Sequence, residues 1–170
     1  MKEKIILFTR VPKEGTTKTR LYDFMSPTEA VNIQKKLLKK NYDLLAETNR
    51  ELLVCHDGNN SDDKEMVELI SCDRFYYQKG DNLGDKMYNA LEEVILDSKV
   101  ILLGSDIFNL DKDIIEEAFE KLETHDIVIN PSEDGGYFLI GMKKAIKEVF
   151  DLPSYGDSSV LENLIKVLEK

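Results

Sequence analysis

The residues with chemistry to offer fall in four short segments rich in glycine or charge. The first, "FTRVPKEGTTKTRL" from Phe8 to Leu21, holds Arg10, Lys13, Lys18 and Arg20 together with Thr16, Thr17 and Thr19. Lys and Arg donate to phosphate oxygens, and Arg can hold two oxygens at once. Gly15 lets the backbone approach a ligand, Pro12 stiffens the loop, and loop N–H groups can form an anion-binding nest. The segment reads as a pyrophosphate cradle or, more plainly, as a basic surface loop. It is not a Walker A motif, because G-x-x-x-x-G-K-[ST] is absent.

The second segment, "QKGDNLGDKM", brackets Asp81 and Asn82 between Gly80 and Gly84. Either it is a turn with an Asx cap, or Asp81, Leu83, Gly84 and Lys86 face a nucleotide or its phosphates. The third, "LLGSDIFNL", releases Asp106 from an apolar run. A carboxylate there suits Mg²⁺ or Mn²⁺ shared with substrate phosphates, whereas Asp111 is better placed to cap the following helix. The fourth, "NPSEDGGYFLIGM", offers Glu133 and Asp134 to complete a metal site or act as general base. Its Tyr137 could line a pocket, but "DGG" equally suits a hairpin turn.

Short apolar runs alternate with helical patterns and position these segments. Strands are predicted over 4–9, 51–56, 74–78, 99–106, 126–130 and 136–142, and helices over 26–47, 61–71, 82–97, 111–123 and 157–170. The first helix opens with Ser26, Pro27 and Glu29, a capping box with proline where its missing N–H is harmless. Alternating strands and helices predict a mainly parallel sheet covered on both faces, a three-layer α/β/α sandwich in one domain over 1–170. Ligands in such sheets bind beyond the carboxyl ends of the strands, where all four segments lie.

The chain has 170 residues, 42% hydrophobic and 33% charged, with a formal net charge of −10. That charge argues against broad nucleic-acid binding, and no apolar run is long enough to span a bilayer. A cytoplasmic protein without a membrane partner is expected. Cys55 and Cys72 read as buried reduced thiols, and His56, His125 and Asp157 as turn, surface and cap residues.

Together, "LFTRVPKEGTTKTRL", "GDNLGDKM", "LLGSDIFNL" and "PSEDGGYFLIG" resemble the bacterial DUF2064 family, described as glycosyltransferase-like and similar to the nucleotide-diphospho-sugar transferase superfamily with the GT-A fold. A more distant resemblance is to small guanylyltransferases of cofactor biosynthesis. The resemblance implies that Arg10, Gly15, Lys18, Thr19 and Arg20 meet a nucleotide diphosphate, with Asp81, Gly84 and Lys86 also on the nucleotide. It implies that Asp106 binds Mg²⁺ or Mn²⁺, with Ser105 standing where glycosyltransferases carry the first acid of their D-x-D motif. Asp134, or Glu133, would be the base, and Ser105, Gly135, Gly136 and Tyr137 would border the substrate or acceptor pocket. The expected activity is glycosyl transfer from a nucleotide-sugar to a small-molecule acceptor. The alternatives are nucleotidyl transfer from a nucleoside triphosphate to a phosphorylated metabolite, releasing pyrophosphate, and nucleotide binding without catalysis. A homodimer is compatible with these readings.

Overall fold

The computed structural model describes residues 1–72 and 74–170. Six strands form one sheet: β1 (Lys2–Thr9), β2 (Glu51–His56), β3 (Phe75–Tyr77), β4 (Ser98–Gly104), β5 (Ile127–Pro131) and β6 (Tyr137–Met142). Their spatial order is β3-β2-β1-β4-β6-β5. β1 pairs in parallel with β2 and β4, and β3 with β2, while β6 runs antiparallel to both β4 and β5. The sheet is therefore mainly parallel, as expected. The "DGG" stretch connects β5 to β6 as a hairpin turn, at the sheet edge where β1 and β4 also end.

Side-chain alternation explains the two-sided burial. Ile5 and Leu7 of β1 join one core with Leu38, Met66, Ile115 and Phe119. Ile6 joins the other, with Met87, Leu91, Leu102, Phe150 and Leu164. The first core lies under helices α1 (Pro27–Ala46), α2 (Asp63–Ile70) and α4 (Lys112–Thr124), and the second under α3 (Leu83–Glu92) and α5 (Val160–Leu168). The result is the expected α/β/α sandwich.

The capping box of α1 forms as its residues predict. Glu29 N donates to Ser26 Oγ at 3.2 Å, and Ser26 N donates to Glu29 Oε2 at 2.8 Å. Two predicted helices are much shorter than expected. α3 stops at Glu92, because Ile95 drops into the core and Lys4 Nζ takes the Val94 carbonyl at 2.7 Å. α5 starts at Val160, because Asp157 accepts from Ser159 N at 2.8 Å in a turn ahead of the helix. Both cysteines are buried, and burial pushes the Cys55 thiol up to about 12. Among the described residues, no helix is long and apolar enough to cross a membrane.

Candidate active site

The basic loop after β1 is tied down at both flanks. Val11 N donates to Asp57 Oδ1 at 2.8 Å, and Lys13 Nζ pairs with Asp62 Oδ1 at 2.5 Å. Hydrogen bonding to Lys13 holds the Asp62 carboxyl below its usual value, and the same contact raises Lys13. Buried Thr17 accepts from Lys13 N at 2.8 Å, and Gly15 N donates to the Tyr22 hydroxyl at 2.9 Å. Gly15 has φ +85°, and among the described residues nothing lies within 4 Å of where a Cβ would stand.

Lys18 is left-handed, with φ 49° and ψ 41°, and opens a short 3₁₀ turn, Thr19–Leu21. A non-glycine residue there carries strain of about 1–2 kcal/mol. Leu21 N, donating to the Lys18 carbonyl at 2.9 Å, closes the turn that holds it. Lys18 Nζ reaches Asp106 Oδ2 at 3.1 Å. The lysine side chain is 16% exposed and the aspartate 58%, so one face of the carboxylate stays open to solvent. Arg10 and Arg20 are exposed and Lys86 is half-buried. None of these three side chains has an ion pair or hydrogen bond among the described residues.

The turn that carries Asp106 is held from below by α1. Gln34 Nε2 donates to Ser105 Oγ at 3.0 Å, and Ser105 Oγ lies 2.8 Å from Thr9 Oγ1. Asn41 Nδ2 donates to the carbonyls on either side of Asp106, Ser105 O at 2.8 Å and Ile107 O at 2.9 Å. Gln34, Asn41, Thr9 and Ser105 are all buried. Ser105, expected to border the substrate pocket, instead fastens the strand end to α1, and its hydroxyl is engaged within the fold. Gln34 and Asn41 do not stand out as site residues in the sequence. The available signal was two amides on the buried stripe of α1, where apolar residues are the rule.

The other two segments are anchored more tightly than the sequence suggests. Asn82 caps α3, accepting from Asp85 N at 2.9 Å. Asp81 is exposed beside it. A Cβ on Gly84 would stand 2.2 Å from the Phe150 carbonyl, so this glycine makes room for protein backbone. In the β5–β6 turn, Asp134 Oδ1 accepts from Ser132 Oγ and, at 3.2 Å, from Gly136 N. The serine contact, then the glycine N–H, lowers the Asp134 pKa. Gly135 has φ +86°, and a Cβ there would lie 2.3 Å from Ser158 O. Its own carbonyl accepts from Leu161 N at 2.9 Å, which docks the turn on α5. Tyr137 packs toward α3, its hydroxyl 3.9 Å from Met87 Sδ, and burial raises its pKa. Glu133 is exposed.

His56 is a buried strand end rather than a turn residue. Its Nε2 lies 2.9 Å from Asp63 Oδ1, and its Nδ1 accepts from Gly58 N at 3.1 Å. It thereby braces the loop that supplies Asp57 and Asp62.

Among the described residues, no three His, Cys, Asp or Glu side chains are grouped closely enough to hold a metal. Asp106 has the donor chemistry for a hard divalent cation, but it stands as a lone carboxylate. Such a cation would take its remaining ligands from substrate phosphates and water.

Residues 38–157 match the family described as "Uncharacterized protein conserved in bacteria (DUF2064)". That match contains Asp81, Lys86, Asp106 and the β5–β6 turn and begins after the basic loop. The chain is also 27% identical to a 2-phospho-L-lactate guanylyltransferase of Methanocaldococcus jannaschii, over 96% of this chain and 69% of that protein. With the same enzyme of Methanobrevibacter ruminantium it is 26% identical, over 79% of this chain and 62% of the relative. Among solved structures, a candidate nucleotide-diphospho-sugar transferase from Desulfovibrio desulfuricans G20 superposes with a TM-score of 0.90 at 28% identity. The superposition covers 99% of this chain and 76% of the other. A 4-diphosphocytidyl-2C-methyl-D-erythritol synthase from Anaerococcus prevotii has a TM-score of 0.57 at 12% identity, over 94% of this chain and 82% of that one, a likeness of fold alone.

Proposed function

The chain belongs to the DUF2064 family, and from that premise we propose a nucleotide-dependent transferase that grips nucleoside phosphates between the β1 loop and Asp106. The 3.1 Å pairing of Lys18 with Asp106 carries this reading, because it puts a cation and a carboxylate in direct contact at the sheet edge. Arg10, Arg20 and Lys86, unpaired among the described residues, add positive charge to that edge.

Lys18, Arg10, Arg20 and Lys86 supply positive charge of the kind a triphosphate requires. In nucleotidyl transfer, an ionised phosphate oxygen of the acceptor attacks the α-phosphorus. The bond from the α-phosphorus to the bridging oxygen breaks, and pyrophosphate leaves with that oxygen. No proton is removed from the nucleophile, so no general base is required. This agrees with Asp134, whose carboxylate is held ionised and hydrogen-bonded within its own turn. Lys18, Arg10 and Arg20 would offset charge building on the departing pyrophosphate. A Mg²⁺ or Mn²⁺ held by Asp106 and the phosphates would supply further charge neutralisation there. The guanylyltransferase relatives support this reading and suggest a phosphorylated small-molecule acceptor.

Glycosyl transfer is the second reading, favoured by the close superposition on the Desulfovibrio protein. It would transfer the sugar of a nucleotide-sugar and release a nucleoside diphosphate, with Asp134 or Glu133 taking the acceptor proton. Product analysis separates the two. Pyrophosphate released from a nucleoside triphosphate and a phosphorylated hydroxy acid supports nucleotidyl transfer, and nucleoside diphosphate released from a nucleotide-sugar supports glycosyl transfer. Asp134→Asn gives a second test: a general base would lose about 10²–10⁴ in rate, whereas a turn residue would cost far less. Absence of both products and of any nucleotide binding would overturn the transferase reading.

A further inference from the structure

Glycine in a strand needs a reason, since it forgoes packing and loses more backbone freedom on folding than any other residue. Most glycines here have one. Gly15, Gly80, Gly135 and Gly156 have positive φ, and added Cβ atoms on Gly58, Gly84 and Gly141 would stand within 3.0 Å of neighbouring atoms. Gly136 sits in the β5–β6 turn, where a Cβ would press against Ser132 and Asp134 at 3.3 and 3.4 Å.

Gly104 has neither reason. It ends β4, its φ lies outside the positive range, and among the described residues a Cβ would find nothing within 4 Å. Backbone geometry and packing would both accept a Cβ at this position. The position is also informative. Leu102, on the same face of β4, packs in the core under α3 and α5, as does Phe8, the residue paired with Gly104 across β1. Gly104 therefore leaves a gap beside Phe8 on that face, at the strand end and two residues before Asp106.

We infer that Gly104 determines which ligands the site admits, its missing side chain leaving room for the uncharged ring that a nucleotide carries next to its phosphates. The inference rests on the nucleotide-dependent reading above. Phosphates are drawn to Lys18 and the neighbouring cations, while the gap beside Phe8 has an aromatic neighbour and suits an uncharged group.

The test compares the parent with Gly104→Ala and Gly104→Val, using a nucleoside triphosphate and inorganic tripolyphosphate as probes. Gly104→Ala should keep or raise the unliganded Tm, because its Cβ would meet no atom of the described residues within 4 Å. Gly104→Val should weaken nucleoside triphosphate binding by about tenfold or more, with Gly104→Ala intermediate. Tripolyphosphate, which lacks the ring, should bind both variants as it binds the parent. Equal nucleotide affinity in parent and Gly104→Val would overturn the inference and leave the transferase reading intact. Equal loss of nucleotide and tripolyphosphate affinity would also overturn it, pointing to a disturbed phosphate grip. A parent that binds neither probe would sink the underlying reading and this inference with it.

Discussion

Lys18 and Asp106 form an ion pair at 3.1 Å, although one opens the turn after β1 and the other follows β4. β1 and β4 are adjacent parallel strands in register from Lys2–Ser98 to Phe8–Gly104, so their carboxyl ends emerge together. Strand pairing thus brings the two side chains together across a wide separation in sequence.

The pair predicts competition. A divalent cation at Asp106 and a phosphate at Lys18 each require the existing contact to loosen, so each should help the other bind. Exposed ion pairs contribute about 0.2–1 kcal/mol. Without nucleotide, Lys18→Met should therefore tighten Mn²⁺ binding by up to about fivefold, while nucleotide-induced stabilisation falls away. Asp106→Asn should lose Mn²⁺ binding. Titration of Mn²⁺ by electron paramagnetic resonance reads both, and weaker Mn²⁺ binding to Lys18→Met would contradict the competition.

Asn41 should matter to the site as well as to stability. Its amide holds the carbonyls of Ser105 and Ile107, while its own Oδ1 is buried without a partner among the described residues. Asn41→Leu would strand two carbonyls and remove one orphan acceptor. The net cost should be about 1–3 kcal/mol by chemical denaturation. Because the clamp sets the turn at Asp106, Mn²⁺ and nucleotide affinity should fall too. Unchanged affinities at reduced stability would assign Asn41 to folding alone.

Acid should loosen the basic loop through Asp62. Lys13 lowers the folded-state pKa of this carboxyl from its ordinary 3.8. The contribution is therefore present above 3.8 and is lost as pH falls through the lower folded value. Asp62→Asn should be less stable than the parent at neutral pH, with the difference closing in acid below 3.8. Thermal unfolding of both proteins across that range checks the sign, and a difference that grew toward low pH would refute it.

Much of the fold was legible along the chain because its causes are local. Ser26, Pro27 and Glu29 announce the start of α1 within four residues, and the unbroken apolar run of β4 announces a strand buried on both faces. The four chemical segments were visible for the same reason, since glycine and clustered charge mark strand-end loops wherever the strands sit. Helix ends were less legible. α3 stops early because tertiary packing takes Ile95 into the core, which outweighs a helical pattern that continues to residue 97.

Residue types and local periodicity determined the elements, the edge on which the loops gather and the sign of the charge there. The tertiary structure alone decided that Lys18 meets Asp106, that Gln34 and Asn41 reach Ser105, and that β6 runs antiparallel between β4 and β5. It also separated the glycines: Gly84 and Gly135 yield space to backbone, and Gly104 to nothing among the described residues. Such contacts depend on strand order, register and the distance between surfaces far apart in sequence, whereas periodicity records only which face of an element is buried.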